Sequence, residues 1–139
     1  STVKAANAPD WKTSGIMITG YSGDASKVVI PEKINGKYVI GIAEGAFVDR
    51  PMESLVISRH VIKVEDGAIQ GCSGLKEIYY PDGIYYISDA ALDDESYLSL
   101  KKLYVNDFSV FEIRYFRFIH FNIIICGIFN KNTVFHNFF

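Results

Sequence analysis

The residues of this chain that could do chemistry are two cysteines, three histidines and a run of acids. A cysteine becomes a nucleophile when a neighbouring base or cation stabilises its thiolate, and zinc is held by cysteines and histidines about two to five positions apart. Cys72 has no histidine near it in sequence, and Cys126 lies far along the chain. His60, His120 and His136 share no ligand spacing. We therefore expect Cys72 to be a small buried core residue, and a Cys72–Cys126 disulfide is the alternative.

Acidic and glycine-containing stretches do not match the spacing of ion or phosphate sites. Calcium loops place carboxylates at alternating positions around a glycine, whereas Asp93, Asp94 and Glu95 are consecutive, which favours a solvated loop. Gly20 and Gly23 are not followed by the lysine and hydroxyl residue of a phosphate-binding loop, and they are typical of a hairpin turn. The sequence thus predicts no catalytic residues, no metal and no cofactor, and we expect the protein not to be an enzyme.

The composition predicts a globular domain with an unusual C-terminal part. Of the 139 residues, 49% are hydrophobic and 22% charged, and the formal net charge of -2 gives no reason to expect nucleic-acid binding. Residues 1–107 carry 11 basic against 15 acidic residues, whereas residues 108–139 carry 3 against 1 and nine of the ten phenylalanines. Charged residues interrupt this aromatic segment, so we expect no membrane span in it.

A short repeat organises the chain before the aromatic segment. The alanines Ala46, Ala68 and Ala91 are 22 and 23 residues apart, and the sequence around each follows one pattern. It reads apolar–x–apolar, a turn, apolar–x–x–apolar, an acid, a small residue with alanine and a bulky residue, and a small polar loop. A unit this short cannot bury its own apolar face. The repeat therefore predicts a solenoid in which each coil stacks on its neighbours, and the alanines must be small because each coil is narrow.

The apolar–x–apolar triplets of the repeat predict short parallel strands, because their alternation has a period of two. These triplets are Leu55/Ile57, Ile78/Tyr80 and Leu103/Val105. If they point inward, the residues between and beside them point outward and form a ladder on one sheet face. We predict a binding surface there, formed by Val29, Val56, Glu77, Tyr79, Lys102 and Tyr104. The alternative is that the tyrosines only stabilise the sheet by cross-strand stacking.

Two kinds of turn are predicted between the strands. Asn35-Gly36 is the dipeptide of a type I′ hairpin, so it predicts a tight protruding turn. Glu44, Asp66 and Asp89 precede the small residues of successive units. Because an acid stabilises the first turn of a helix, we expect a short helical turn to begin at each of them.

The recurring positions resemble the repeat of bacterial leucine-rich repeat proteins of the BspA-like, Treponema-type class, L-x-x-I-x-I-P-x-x-V-x-x-I-G-x-x-A-F-x-x-C-x-x-L. The resemblance extends from Gly15 to about Asp107, and the leader is similar to the N-terminal capping hairpin of such proteins. The matching residues are Leu55, Ile57, Val61, Val64, Ala68, Ile69, Cys72, Leu75, Ile78 and Pro81, and in the preceding unit Ile30, Pro31, Val39, Ile42, Ala46 and Phe47. The stretch "DDESYLS" in the third unit and the aromatic segment depart from the pattern.

The resemblance implies a β-rich α/β solenoid: a short leucine-rich repeat, right-handed superhelix with an N-terminal hairpin cap. The alternating residues of the aromatic segment add a β C-terminal extension to this expectation. We expect a leader and capping hairpin in residues 1–27, repeats in 28–107 and the aromatic extension in 108–139. The implied function is non-catalytic binding or adhesion by a bacterial cell-surface or secreted protein, with host matrix or cell-surface proteins as partners. In the alternative, the chain is a structural scaffold fragment whose tail mediates oligomerisation.

The aromatic extension alternates apolar and polar residues, with a phase slip at Tyr115–Phe116 where we expect a bulge or bend. Three interpretations remain open: a cap on the last coil, a self-association surface that would make a homodimer, or an aberrant terminus. Because the last coil of a solenoid exposes an apolar edge, we predict that strands of residues 108–139 cover that coil.

Overall fold

The computed structural model describes residues 10–107, 123–129 and 133–135, which form a β-solenoid of about four turns. The first strands are β1 (Trp11–Ser14), β2 (Met17–Tyr21), β3 (Lys27–Val29), β4 (Lys33–Ile34), β5 (Lys37–Tyr38), β6 (Gly41–Ile42), β7 (Phe47–Val48) and β8 (Ser54–Val56). They are followed by β9 (Lys63–Val64), β10 (Ile69–Gln70), β11 (Glu77–Tyr79), β12 (Tyr86–Ile87), helix α1 (Asp94–Ser99), β13 (Lys102–Asp107), β14 (Ile124–Phe129) and β15 (Thr133–Phe135).

Successive coils place their strands side by side in parallel ladders. A six-stranded sheet has the order β15-β14-β13-β11-β8-β3, and a five-stranded sheet has the order β1-β2-β6-β9-β12. A third, smaller ladder joins β7 to β10. The predicted solenoid is therefore confirmed, as a β-rich chain with one short helix among the residues described.

The predicted inward residues form the core between the sheets. Leu55, Ile78 and Leu103 are in register on β8, β11 and β13, and all three are completely buried. The second residue of each triplet is buried as well, and so are the three alanines of the repeat. Period-two alternation thus identified the buried side of each strand, because a parallel register places equivalent residues of successive coils against one another.

The prediction of helical turns at the repeated acids is wrong. Glu44, Asp66 and Asp89 lie in tight turns, and the following glycines Gly45 and Gly67 have φ values of +73° and +66°. In this left-handed conformation the chain turns directly into the next strand. The amide of Gly45 then donates to the carbonyl of Gly67 one coil further along, so the backbone bonds join coils instead of closing a helix.

The acid run is also not the solvated loop that we expected, because it begins the helix α1. Asp93 is the N-cap, and its side chain accepts a hydrogen bond from the amide of Ser96 at 3.0 Å. Its second carboxylate oxygen accepts from the amide of Gly71 at 2.9 Å, which ties the helix to the preceding coil. Asp94 and Glu95 occupy the first turn, where acids interact favourably with the helix dipole.

The hairpin predicted at Asn35-Gly36 forms, but the hairpin turn expected at Gly20 and Gly23 is wrong. Gly20 lies within β2, and the turn that joins β1 to β2 is at Gly15 and Ile16. Asn35 and Gly36 have φ values of +53° and +77°, as a type I′ turn requires, and they join β4 to β5. At the N-terminal end of the stack, β1 and β2 form an antiparallel hairpin, in which Trp11 is buried against Tyr21 with ring centroids 4.5 Å apart. Phe47 of the first coil completes this aromatic cluster, so the hairpin packs on the end of the core.

The C-terminal strands continue the stack within the same chain. β14 pairs in parallel with β13, with Lys102 opposite Ile124, and β15 pairs antiparallel with β14. The spacing of 22 residues between Lys102 and Ile124 is that of the repeat. The expectation that the aromatic segment departs from the repeat is therefore wrong for β14. Ile123 is completely buried. The predicted phase slip at Tyr115–Phe116 lies outside the described residues.

The narrow coil generates a prediction about stability. Ala68 is completely buried, so Ala68→Leu must overpack the core, and we expect it to lower the free energy of unfolding by about 1–3 kcal/mol. Lys76→Ala is the control, because the Lys76 side chain is exposed and its ammonium pairs with the exposed carboxylate of Glu53. Thermal denaturation followed by circular dichroism measures both. Equal shifts in the melting temperature would show that the position of Ala68 in the coil is misassigned.

Candidate functional site

The outward face of the six-stranded sheet holds all six predicted binding residues. The register of β3, β8, β11 and β13 aligns them in two rows that cross the strands. One row is Val29, Val56, Tyr79 and Tyr104, and the other is Lys27, Ser54, Glu77 and Lys102. We call these eight residues the ladder face. Every one of them is exposed or partly exposed, and Val29 is 47% exposed.

Two tyrosines on adjacent strands stack at the centre of the ladder face. The ring centroids of Tyr79 and Tyr104 are 4.2 Å apart and their planes differ by 2°. The spacing of neighbouring strands is about 4.8 Å, so the parallel register itself brings the rings into contact.

A carboxylate beneath the stack fixes the first tyrosine. The hydroxyl of Tyr79 donates to the carboxylate of Glu77 at 2.6 Å; these two residues are on the same side of β11 because they are two positions apart. This hydrogen bond, together with burial and the contact with Tyr104, raises the pKa of Tyr79 far above its ordinary value of 10.0. The phenol therefore keeps its proton to higher pH than an ordinary tyrosine, and the hydrogen bond to Glu77 orients its hydroxyl group.

Both rows continue onto β14, which was not predicted from the sequence. Cys126 is opposite Tyr104 and Ile124 is opposite Lys102, so these residues extend the first and second rows by one position. Both are partly exposed. The signal was present in the sequence as the 22-residue spacing, but the aromatic composition of residues 108–139 obscured it.

The cysteines do not form a disulfide, since both thiols are free. Cys72 is completely buried, and burial raises the pKa of its thiol. Its amide donates to the hydroxyl of Ser96 at 3.1 Å, which joins the coil to α1. The expected role of Cys72 as a core residue is confirmed by this burial, and the protonated thiol is a poor nucleophile.

The remaining candidate groups are the metal-binding side chains, the histidines and any membrane-spanning helix. Within residues 10–107, 123–129 and 133–135, no group of three or more histidine, cysteine or acidic side chains could hold a metal ion. The ring of His60 packs against Tyr38 with centroids 4.4 Å apart. His120 and His136 lie outside the described residues. No helix within these ranges is long and apolar enough to cross a membrane.

Comparison with known proteins returns no relative: no family model matches the chain, and no curated protein or solved structure matches it. The fold and the ladder face define the molecule as a β-solenoid with an aromatic and charged sheet surface. Its function must therefore be argued from the geometry of that surface and from the sequence.

The bond between Glu77 and Tyr79 generates a prediction about ionisation. Removing the carboxylate with Glu77→Ala removes the largest cause of the raised pKa, so we expect the pKa of Tyr79 to fall towards 10.0. Ultraviolet titration of the phenolates should then show one more tyrosine ionising below about pH 11 than in the parent protein. Glu53→Ala is the control, because Glu53 bonds to Lys76 and contacts no tyrosine hydroxyl. Identical titration curves for the parent and Glu77→Ala would contradict the hydrogen bond.

Proposed function

We propose that this protein is a non-catalytic binding module that recognises protein partners through the ladder face. The observation that carries the proposal is the stacked pair Tyr79–Tyr104, held in place by Glu77. Tyrosine is enriched among the residues that dominate the energy of protein–protein contacts. A side chain that is already fixed before binding loses little conformational entropy in the complex, which favours affinity.

The chemistry around the stack supports selective binding. Val29 and Val56 give an apolar area at one end of the first row, and Cys126 extends the other end. Glu77 and Lys102 lie opposite each other on adjacent strands of the second row. Apolar contacts in the middle of an interface supply affinity, and charges at fixed positions determine the orientation of the partner.

We also propose that the chain is a BspA-like leucine-rich repeat protein, secreted or displayed on a bacterial surface, and that its partners are host matrix or cell-surface proteins. The support is the sequence resemblance, together with the burial of the repeat positions. Leu55, Val64, Ala68, Cys72 and Leu75 are all completely buried, as residues that recur for packing should be.

A structural scaffold is the second candidate function. One observation favours it: β15 is at the end of the six-stranded sheet, and its outer edge pairs with no strand among the described residues. An open edge can pair with a strand of another copy. In that case the C-terminal extension would assemble copies of the chain, and the ladder face would only stabilise the sheet.

The binding proposal is tested by affinity capture from host matrix and cell-surface proteins. We expect Tyr79→Ala/Tyr104→Ala to lose partners that the parent protein recovers. Tyr38→Ala is the matched control, because Tyr38 is 45% exposed but lies on β5, in the separate two-stranded sheet of β4 and β5. Equal recovery by the parent and the double variant would contradict binding through the ladder face. Assembly of the parent in light scattering, with no captured partner, would support the scaffold instead.

A further inference from the structure

Four apolar residues are aligned on successive coils beside the five-stranded sheet, each immediately before one of the strands β2, β6, β9 and β12. The amide of Ile40 donates to the carbonyl of Ile16 at 2.9 Å, the amide of Ile62 to that of Ile40 at 2.9 Å, and the amide of Tyr85 to that of Ile62 at 3.1 Å. These bonds place the four residues side by side on successive coils. We call Ile16, Ile40, Ile62 and Tyr85 the apolar row.

The apolar row faces outward along its length. The residues that precede its last three members in sequence, Val39, Val61 and Ile84, are buried, whereas the members themselves are exposed or partly exposed. Ile16 is 49% exposed and Tyr85 is 64% exposed, while Ile40 and Ile62 are partly exposed. Contiguous apolar surface of this kind marks interaction sites in soluble proteins.

The first residues of β2, β6, β9 and β12 form the next row, and Met17 and Gly41 at its N-terminal end are uncharged. The side chain of Met17 fills the space that a Cβ atom at Gly41 would occupy. Lys63 is the charged residue of this row, and its ammonium pairs with the carboxylate of Glu65 at 3.4 Å. Its positive charge is thus balanced locally.

Acids line the turns immediately after these strands. Glu44, Asp66 and Asp89 hold equivalent places on three successive coils, and none of them is in an ion pair of the described residues. Asp66 accepts a hydrogen bond from the hydroxyl of Ser88. An open cleft of about 340 Å³, lined by Glu44, Glu65, Asp66 and Tyr86, lies at this position. We call Glu44, Asp66 and Asp89 the acidic row.

We propose that the apolar and acidic rows together bind a polypeptide segment of another protein, in which apolar side chains are flanked by lysine or arginine. Ile40 and Glu44 are four positions apart, so the two rows are separated by at most about 14 Å, which one segment can span. Apolar side chains of the partner cover the apolar row, and its basic side chains enter the acidic cleft.

Charge also favours such a partner over a second copy of the chain. A second copy would bring its own acidic row to the contact, where like charges repel. The inference is independent of the ladder face, because the apolar row lies beside the other sheet. Two different partners could therefore be bound at once.

The test uses the full chain and three labelled synthetic peptides of equal length: one of leucine and lysine, one of leucine and glutamate, and one of serine and lysine. Fluorescence anisotropy measures binding at low and high salt. We expect the leucine–lysine peptide to bind most tightly and to weaken as salt rises, because screening reduces the attraction of the acidic row. Equal or tighter binding of the leucine–glutamate peptide would overturn the proposal.

Paired variants locate the binding. Ile16→Ser/Tyr85→Ser removes apolar area at two exposed positions, and we expect about tenfold weaker binding of the leucine–lysine peptide, which corresponds to about 1.4 kcal/mol. Glu44→Gln/Asp66→Asn should weaken binding and reduce its salt dependence. The controls are Leu98→Ser, exposed on α1, and Asp82→Asn, exposed in a turn. Circular dichroism confirms that each variant is folded.

Three results would overturn the proposal. Undiminished binding in both paired variants would place the peptide elsewhere. An equal loss in the control variants would show an effect that is not specific to the two rows. Dimerisation of the parent chain that Ile16→Ser/Tyr85→Ser abolishes would show that a second copy occupies the apolar row. None of these results affects the capture experiment on Tyr79 and Tyr104, so the two proposals fail separately.

Discussion

The whole structure depends on the in-register stacking of short coils. A coil of this length has no core of its own, and each inward side chain is buried only because the coils on either side contribute the same position. Leu55, Ile78 and Leu103 show this directly, since each packs in register with the next and none is exposed. Backbone bonds between coils maintain the register even at the corners, where Gly45 donates to Gly67.

The same register determines the chemistry of the surface. Any outward residue that recurs in the repeat becomes a continuous row, so a single residue type at one position makes a stripe across several coils. The six-stranded sheet acquires a stacked tyrosine pair with a carboxylate below it, and the five-stranded sheet acquires an apolar row beside acids. A solenoid of this kind therefore offers two extended surfaces of different character.

The sequence predicted the stack and the ladder face well, because both follow from period-two alternation within a repeat. It failed at the turns: the acids Glu44 and Asp66 suggested helix starts, whereas the left-handed glycines after them close tight turns. Local residue preference does not distinguish a helical turn from a tight turn here. The backbone amides of the turns donate to carbonyls of the neighbouring coil, which the local sequence does not show. The apolar row was not predicted although Ile40, Ile62 and Tyr85 recur at 22 and 23 residues. Each of them directly follows a buried apolar residue, so residue type alone does not show which of the two neighbours faces outward.

The most direct test of the account is the distance across the six-stranded sheet. Nitroxide labels at Lys27 and Lys102, both exposed, lie three strand spacings apart in the order β3, β8, β11, β13. With about 4.8 Å between neighbouring strands, in-register stacking places the two labelled backbones about 14–15 Å apart, so the nitroxides should show strong dipolar broadening in electron paramagnetic resonance. Spectra without dipolar broadening, which require a separation of more than twice that distance, would contradict the stacking of the coils and with it the two surface rows.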